Sequence, residues 1–360
     1  MRRALSTSRV DLARLMPQAE EMLTTGLATE APARHAADLR AAADLLRAAA
    51  DVTLVAHVNP DADALGSALA LGLVLHRRGA TVRVTFAHPA EAPEPLRALD
   101  VAGLLVAPEQ VPAEPELLIA LDTASAGRLG ALGDRLGVAG AVLVIDHHVT
   151  NGRFGTHNVV DDRAEATAVL VLRLLDELGV ALDEPVARCL YAGLVTDTSC
   201  FRRADRSTHA VAARLLAAGV DSDATTRALL DTHPYRWLGM LGAVLSRAEL
   251  EPAAARGLGL VHATIRLADA AGLGTDELES VVDIVRTTAE AEVAAVLKEM
   301  APQEWSVSLR AKRRLDVSAA AQALGGGGHR LAAGFSAAGT AENVLSRLRA
   351  ALDAAPLIPA

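Results

Sequence analysis

Three short, mainly apolar segments of this chain each run directly into an acidic or histidine residue. The segments and the residues that follow them are 52–56 with His57, 117–121 with Asp122, and 141–145 with Asp146. Apolar strands that alternate with helical segments are typical of a parallel sheet covered on both faces. We therefore predict an α/β fold whose N-terminal part is a doubly wound parallel sheet. In such sheets the ligand site lies beyond the carboxyl ends of the strands.

The length of the chain, 360 residues, suits two domains better than one. The alternation of strands and helices ends near Pro234, and a second set of strand-like segments begins at Gly257. Residues 235–250 are expected to form one connecting helix. The predicted organisation is a poorly ordered or loosely helical extension over 1–33, a first domain over 34–233, a helical linker over 234–256, and a smaller α/β domain over 257–355.

Charge and cysteine content limit the class of protein. The formal net charge is −9, whereas proteins that bind long duplex nucleic acid usually present a basic surface. Cys189 and Cys200 are the two cysteines and imply no disulfide framework. No apolar run reaches the roughly 20 residues of a membrane span, and the N-terminus lacks the apolar core of a signal peptide. We therefore expect a cytoplasmic protein that binds neither membranes nor duplex DNA.

The loop after the first apolar segment carries His57, Asp61 and Asp63 within seven residues. One interpretation is a turn whose acidic residues cap the following helix, with Asp63 as the cap. A second interpretation is a metal site, because carboxylates and imidazole are common ligands of divalent cations.

The other segment ends favour the metal interpretation. Asp122, the triplet 146–148 and Asp197 should meet the loop at one sheet edge, although the segment before Asp197 fits either a helix or a strand. Convergent carboxylates repel each other unless cations neutralise them. A His/Asp set without thiolates favours Mn²⁺, with Mg²⁺ or Fe²⁺ as alternatives. Two ions about 3.5–4 Å apart could polarise a phosphate and activate a water.

The ordered set of motifs resembles the DHH phosphoesterase family. In chain order the motifs are His57-Val58-Asn59-Pro60-Asp61-Ala62-Asp63, Asp122-Thr123, Asp146-His147-His148 and Asp197-Thr198. The glycines 325–328 with His329, followed by Ala332-Ala333-Gly334, resemble the signature of the DHH-associated substrate-binding domain. The resemblance spans about residues 35–355. The short two-domain architecture is similar to NrnA-type enzymes, which cleave nano-RNA and cyclic dinucleotides and often dephosphorylate pAp.

The resemblance implies two bound divalent cations, Mn²⁺ in the first place. Asp122 would bridge the pair. The other implied ligands are His57 and Asp61 for one cation, and Asp63, His147 and Asp197 for the other.

The resemblance also implies a catalytic role for the rest of the triplet. Asp146 would orient an imidazole, and His148 would contact the scissile phosphate or protonate the leaving oxygen. The chain departs from the family at Ser199, where the family often has glycine. A small residue is retained there, so we expect the departure to be tolerated.

The glycine run near the C-terminus has two interpretations. It could be a flexible turn, or it could let backbone amides approach a phosphate or base closely. The resemblance implies the second and assigns the distal nucleotide to Arg310, Gly326, Gly327, Gly328 and His329. Asn59 fits a substrate contact and a turn former equally well. Arg202 and Arg203 fit either the site or the surface, and Trp237 and Trp305 are expected to pack.

The predicted function is metal-dependent hydrolysis of short nucleotides, such as nano-RNA, pApA, c-di-AMP or pAp, to 5′-mononucleotides. One alternative is a RecJ-like exonuclease that acts on longer single strands. Another is a non-catalytic nucleotide-binding regulator, although the full ligand set argues against it. The resemblance also suggests a homodimer.

Overall fold

The computed structural model of the protein describes residues 33–358. The predicted N-terminal extension, except for its last residue, lies outside this range. The described part contains a five-stranded and a six-stranded sheet. A parallel sheet in the N-terminal part and a second sheet after it confirm the predicted α/β fold. No helix of the described part has the length and apolar character needed to cross a bilayer.

The first sheet is entirely parallel. Its strands are β1 (Asp51–Ala56), β2 (Thr81–Thr85), β3 (Leu117–Leu121), β4 (Ala141–Asp146) and β5 (His157–Val160). They lie in the order β2-β1-β3-β4-β5. Because the strand order reverses between β1 and β3, a crevice opens at the carboxyl ends of these two strands.

Helices lie on one side of this sheet, some against its face and the last two, residues 206–217 and 222–230, against the helix that ends at Asp197. They are α1 (Ala33–Ala48), α2 (Ala62–Arg77), α3 (Thr167–Glu177), α4 (Glu184–Asp197), α5 (Arg206–Ala217), α6 (Ser222–Leu230) and the single turn Glu94–Arg97. Leu54 and Ile119 face this helical layer, whereas Val55 and Val144 face a 3₁₀-helical segment, Ala126–Gly137, on the opposite side. The apolar segment before Asp197 is therefore a helix.

The second sheet is mostly antiparallel. Its strands are β6 (Glu249–Glu251), β7 (Leu260–Ile265), β8 (Val293–Ala301), β9 (Glu304–Ala311), β10 (Gly327–His329) and β11 (Ala332–Ala338). Their order is β10-β11-β9-β8-β7-β6, and only β7 and β8 among the described neighbours run parallel.

Two pairs of helices sandwich the second sheet. They are α7 (Tyr235–Leu245) with α8 (Thr275–Val285) on one face, and α9 (Val317–Ala323) with α10 (Ala341–Ala354) on the other. Single helical turns, Ala254–Gly257 and Leu267–Ala270, and the 3₁₀ turn Pro108–Gln110 complete the described elements.

The predicted connecting helix over 235–250 is shorter than expected. It ends at Leu245, and Glu249–Glu251 instead forms an edge strand on β7. Met240 and Val244 of α7 are buried in the same core as Val261 of β7. The stretch between the two sheets therefore contributes to the second core.

Candidate active site

A first cluster of ionisable side chains lies where β1 and β3 end. It contains His57, Asp61 and Asp122. His57 Nε2 is 3.7 Å from Asp61 Oδ2 and 3.4 Å from Asp122 Oδ2. Because β1 and β3 are neighbours at the reversal of strand order, the loops that follow them meet in the crevice.

A second cluster adjoins the first and contains Asp63, Asp122 and His147, with Asp197 beside them. His147 Nε2 lies 3.8 Å from Asp63 Oδ2, 3.5 Å from Asp122 Oδ1 and 3.0 Å from Asp197 Oδ2. Asp197 is the last residue of helix α4. Asp122 thus faces His57 with one oxygen and the second cluster with the other, so it belongs to both.

Thr167 orients the shared carboxylate, a role that sequence reasoning missed. Its hydroxyl donates a 3.0 Å hydrogen bond to Asp122 Oδ1, and both side chains are buried. Thr167 is the first residue of α3, where a threonine in the sequence indicates nothing beyond the start of a helix. Only the tertiary fold brings it against Asp122.

The capping interpretation applies to Asp61 rather than to Asp63. Asp61 is the N-cap of α2, and its Oδ1 accepts hydrogen bonds from the backbone N–H groups of Asp63 and Ala64 at 3.1 and 2.9 Å. The buried carboxylate of Asp63 instead accepts from the N–H groups of Thr167 and Ala168, at 2.6 and 2.9 Å. These amides are the N-terminus of α3, where the helix dipole favours negative charge.

Mutual proximity shifts the pKa values of the clustered groups. Burial alone would lower the pKa of His57, but Asp122 and Asp61 together outweigh burial and raise this pKa to about 10. Burial would also lower the pKa of His147, but Asp197 and Asp122 raise it well above its usual value. Burial, together with the charges of Asp197 and Asp122, raises the pKa of Asp63 well above its usual value. Without cations, the clusters therefore retain protons that positive ions could replace.

The geometry of the two imidazoles fits metal ligation. His57 Nδ1 is 2.8 Å from the carbonyl oxygen of Val58, and His147 Nδ1 is 3.0 Å from that of Ala164. A carbonyl oxygen can only accept, so His147 Nδ1 carries the proton and its Nε2 is directed at the carboxylates. His57 Nδ1 also lies 3.0 Å from Arg128 Nη2, and its Nε2 is directed at Asp61 and Asp122. His147 Nε2 is buried and makes no well-aligned hydrogen bond. The clusters can therefore hold divalent metal ions, and their O/N donor set contains no thiolate.

Asp146, His148 and Asn151 form a hydrogen-bonded chain beside the clusters. His148 Nδ1 donates to Asp146 Oδ1 at 2.7 Å, and Asn151 Nδ2 donates to Asp146 Oδ2 at 2.5 Å. Asn151 also donates to the carbonyl of Thr123, which follows Asp122 in the chain. The buried Asp146 carboxylate therefore fixes the ring of His148 and leaves its Nε2 free. Sequence reasoning did not select Asn151.

A cleft of about 1020 Å³ connects the clusters to the second sheet, and its walls include Asp122, His148, Arg310 and glycines 325–328. His329 stacks on His148, with ring centroids 4.3 Å apart and an interplanar angle of 17°. Burial and the charges of His147 and His148 lower the pKa of His329 to about 2. The His329 ring is therefore a neutral imidazole near pH 7.

Of the two arginines that follow the fourth motif, Arg203 reaches the cleft. It lines the cleft wall, and its Nη2 donates to the backbone carbonyl of Asp197. Arg202 is exposed and is not part of the cleft lining. The sequence could not separate the two, because both follow the same turn.

Asn59 lies outside the cleft lining. It is exposed, and its φ of 53° places it in the left-handed region, which asparagine tolerates in turns. The structure therefore favours the turn interpretation of Asn59. Trp305 is buried and Trp237 is half-buried with its Nε1 donating to Glu277 O, so both pack as predicted.

The fold and the clusters together define a two-domain α/β protein with a candidate two-metal site at a sheet switch point. Residues 51–194 match the family model described as DHH family, N-terminal domain, and residues 258–355 match the DHHA1 domain. Over 310 residues the chain is 33% identical to the bifunctional oligoribonuclease and PAP phosphatase NrnA of Thermus thermophilus, covering 85% of this chain and 90% of that protein. The chain belongs to the DHH family of phosphoesterases, which are hydrolases of phosphate esters.

Two further similarities extend over most of the chain. A probable bifunctional oligoribonuclease and PAP phosphatase NrnA of Streptococcus mutans is 27% identical over 292 residues, which cover 80% of this chain and 89% of that protein. The crystal structure of an exopolyphosphatase-related protein from Bacteroides fragilis matches with a TM-score of 0.77 at 23% identity, over 88% of this chain and 96% of that one. This structural match shows a shared fold.

Proposed function

We propose that the chain is a phosphodiesterase and phosphatase that uses two divalent cations to hydrolyse short nucleotides to 5′-mononucleotides. The observation that carries the proposal is the position of Asp122, whose Oδ2 faces His57 and whose Oδ1 faces His147. A carboxylate shared by two ligand clusters is what a closely spaced metal pair requires. Bound cations would neutralise phosphate oxygens and make a water molecule a better nucleophile.

Six side chains would hold the cations, Mn²⁺ in the first place. The proposed ligands are His57, Asp61 and Asp122 for one ion, and Asp63, Asp122, His147 and Asp197 for the other. Support for this division comes from the distances within each cluster and from the orphaned Nε2 of His147. Thr167 would keep Asp122 Oδ1 in place by its hydrogen bond.

His148 would act on the leaving oxygen of the scissile bond. Its Nδ1 is held by Asp146, so a proton on Nε2 can be delivered into the cleft. The Asp146 hydrogen bond and the nearby Asp122 charge raise the pKa of His148 although burial opposes them. A raised pKa favours the protonated imidazole, which is the form that a general acid needs near neutral pH.

The opposite wall of the cleft would hold the distal part of the substrate. Arg310 offers a guanidinium for a phosphate, and the backbone of Gly326, Gly327 and Gly328 allows close approach. The neutral ring of His329 would contact the same nucleotide. Arg203, which lines the cleft next to Asp197, is a further cation for phosphate oxygens.

The proposed substrates are nano-RNA, pApA, c-di-AMP and pAp. The names of the Thermus and Streptococcus relatives, as oligoribonucleases and PAP phosphatases, support this class. The net charge of −9 also suits short substrates better than polymeric ones, because long polyanions would be repelled.

A kinetic panel tests the proposal. Purified protein with Mn²⁺ is assayed for release of mononucleotides from pApA, unphosphorylated diribonucleotides, c-di-AMP and pAp, with chelator-treated protein as the control. The proposal predicts Mn²⁺-dependent turnover of at least one of these, and no turnover of any would contradict it. A length series of 5′-labelled single strands separates it from a RecJ-like exonuclease, because activity should fall sharply as the strand lengthens. Tight binding of these nucleotides without turnover would indicate a regulator.

A further inference from the structure

A buried lysine supports a glutamate on the cleft wall of the second sheet. Lys298 of β8 is only 2% exposed, and its Nζ donates to Glu279 Oε1 and, at 2.7 Å, to Ser308 Oγ. The Ser308 hydroxyl donates in turn to Glu279 Oε2 at 2.8 Å. Each oxygen of the Glu279 carboxylate is therefore fixed from behind by one hydrogen bond, while the side chain remains 44% exposed and lines the cleft.

The proposed cation site does not explain this arrangement. Burying an ammonium group carries a large desolvation cost, and an apolar residue on β8 would avoid that cost. Burial alone would raise the pKa of the Glu279 carboxyl, but Lys298, Ser308 and Arg310 together outweigh burial and lower this pKa. Glu279 is therefore ionised at neutral pH and can only accept hydrogen bonds. A preorganised acceptor of this kind selects a ligand group that donates, and it repels phosphate.

Arg310 indicates which donor would lie here. Arg310 lines the same wall, and its Nε lies 3.9 Å from Asp283 Oδ1, one helical turn after Glu279 on α8. Asp283 also lines the cleft, but its carboxylate lies between two guanidinium groups, with Arg286 Nε 2.8 Å from the same oxygen, so two cations balance its charge. Glu279 differs from Asp283 in that hydrogen bonds from Lys298 and Ser308 hold its carboxylate in place on the cleft wall that also carries Arg310. In a 5′-phosphorylated dinucleotide, the ribose of the distal nucleotide lies between its 5′-phosphate and the scissile phosphate. The base lies farther from both phosphates. A donor close to a bound phosphate is therefore a ribose hydroxyl rather than a group of the base.

We propose that Glu279, held by Lys298 and Ser308, forms a hydroxyl-binding subsite that accepts a hydrogen bond from the ribose 2′-hydroxyl of the distal nucleotide. The subsite makes the enzyme selective for ribonucleotides over 2′-deoxyribonucleotides, because the 2′-hydroxyl is the group that distinguishes RNA from DNA. This inference rests on the proposed function, since it concerns the substrate of the same cleft.

The test compares two substrates that differ by one oxygen. kcat/KM is measured for pApA and for its analogue with 2′-deoxyribose in the distal nucleotide, using the Mn²⁺-loaded full-length protein. The wild type is expected to prefer the ribonucleotide by about 10-fold or more, the usual effect of a hydrogen bond to a charged group. Glu279→Gln should reduce this ratio by about 10-fold, mainly through slower cleavage of the ribonucleotide.

Two further variants keep the test decisive. Glu279→Gln leaves Lys298 buried without its counter-ion and could unfold the second domain, so the double variant Glu279→Gln/Lys298→Met removes both charges and should show the same loss of selectivity. Glu277→Gln is the matched control, because Glu277 caps the same helix through Gly274 N–H and lies outside the cleft lining. Its selectivity should equal that of the wild type.

The outcomes separate the subsite from the proposed function. If the wild type cleaves neither substrate, the proposed function itself is wrong. If it cleaves both equally, or if Glu279→Gln and the double variant keep the wild-type ratio, the subsite is wrong and the function stands. If the variants instead change the preference between pApA and pGpG and not the preference between sugars, Glu279 contacts the base and the ribose assignment is overturned.

Discussion

His148 and His329 stack face to face across the cleft, with ring centroids 4.3 Å apart. One ring follows strand β4 of the first sheet and the other ends β10 of the second, so the two domains meet at the candidate active site. We predict that His329→Ala lowers kcat/KM for pApA by about 10- to 100-fold, because a substrate contact and the support of His148 are lost. The unfolding midpoint should change little, since His329 is only half-buried.

His209→Ala is the control for this prediction. It removes an exposed histidine that stacks on Phe201 outside the cleft lining, and it should behave like the wild type. A wild-type kcat/KM for His329→Ala would show that the stack has no role in turnover.

Two adjacent glycines, Gly326 and Gly327, are expected to have different roles, the first in packing and the second in substrate binding. A Cβ at Gly326 would lie 2.0 Å from Gly334 O, whereas at Gly327 the nearest atom would be Thr150 Oγ1 at 3.7 Å. Gly326→Ala should therefore destabilise the protein by about 1–3 kcal/mol in urea unfolding. Gly327→Ala should unfold like the wild type but raise KM severalfold, because its methyl group occupies the substrate side of the cleft. An unchanged KM for Gly327→Ala would favour the flexible-turn interpretation of the run.

Ser199 carries backbone strain two residues after Asp197. Its φ is 51°, a left-handed conformation that is strained for a residue with a side chain. Glycine adopts this conformation without strain, and the family often has glycine here. Ser199→Gly should therefore stabilise the protein by about 0.5–1 kcal/mol, after allowing for the greater flexibility of glycine in the unfolded chain. Ser246→Gly is the control. Ser246 has a φ of −64°, which is not strained, so the same change there should destabilise the protein slightly. Urea unfolding measures both, and equal effects at the two positions would show that the left-handed backbone at Ser199 carries no strain.

The sequence could predict the parts of the site that local patterns determine. The ends of β1, β3 and β4 follow from apolar segments that stop at polar residues, and parallel pairing then brings His57, Asp122 and His147 to one edge. The helical origin of Asp197 stayed open because a short apolar run fits a buried helix and a buried strand equally well.

The missing parts depend on contacts between residues far apart in the chain. Thr167 lies 45 positions from Asp122, and only the packing of α3 against the sheet edge brings their side chains together. Lys298 and Glu279 are 19 positions apart, on a strand and a helix with no shared motif. The sequence left helix capping open as an alternative for Asp63, because its buried partners, the first amides of α3, are more than 100 residues away.

Cation binding should become stronger as pH rises. The pKa of His57 is raised from its ordinary value of 6.5 to about 10 in the cation-free protein. The stability that its protonated form contributes is complete below pH 6.5 and is lost as pH rises through about 10. Because a cation must displace this proton, the rise in melting temperature on adding Mn²⁺ should be larger at about pH 8.5 than at about pH 6. Thermal unfolding with and without Mn²⁺ measures this difference. A rise in melting temperature that is the same at both pH values would show that the cations do not compete with protons at this site.

Anomalous diffraction from crystals grown with Mn²⁺ would show whether two cations share Asp122. We expect two anomalous peaks about 3.5–4 Å apart, one beside Asp122 Oδ2 and His57 and the other beside Asp122 Oδ1 and His147. In crystals of Asp122→Asn, which has lost the bridging charge, at least one peak should disappear. A single peak in the wild type, or two peaks that do not share Asp122, would show that Asp122 does not bridge a metal pair.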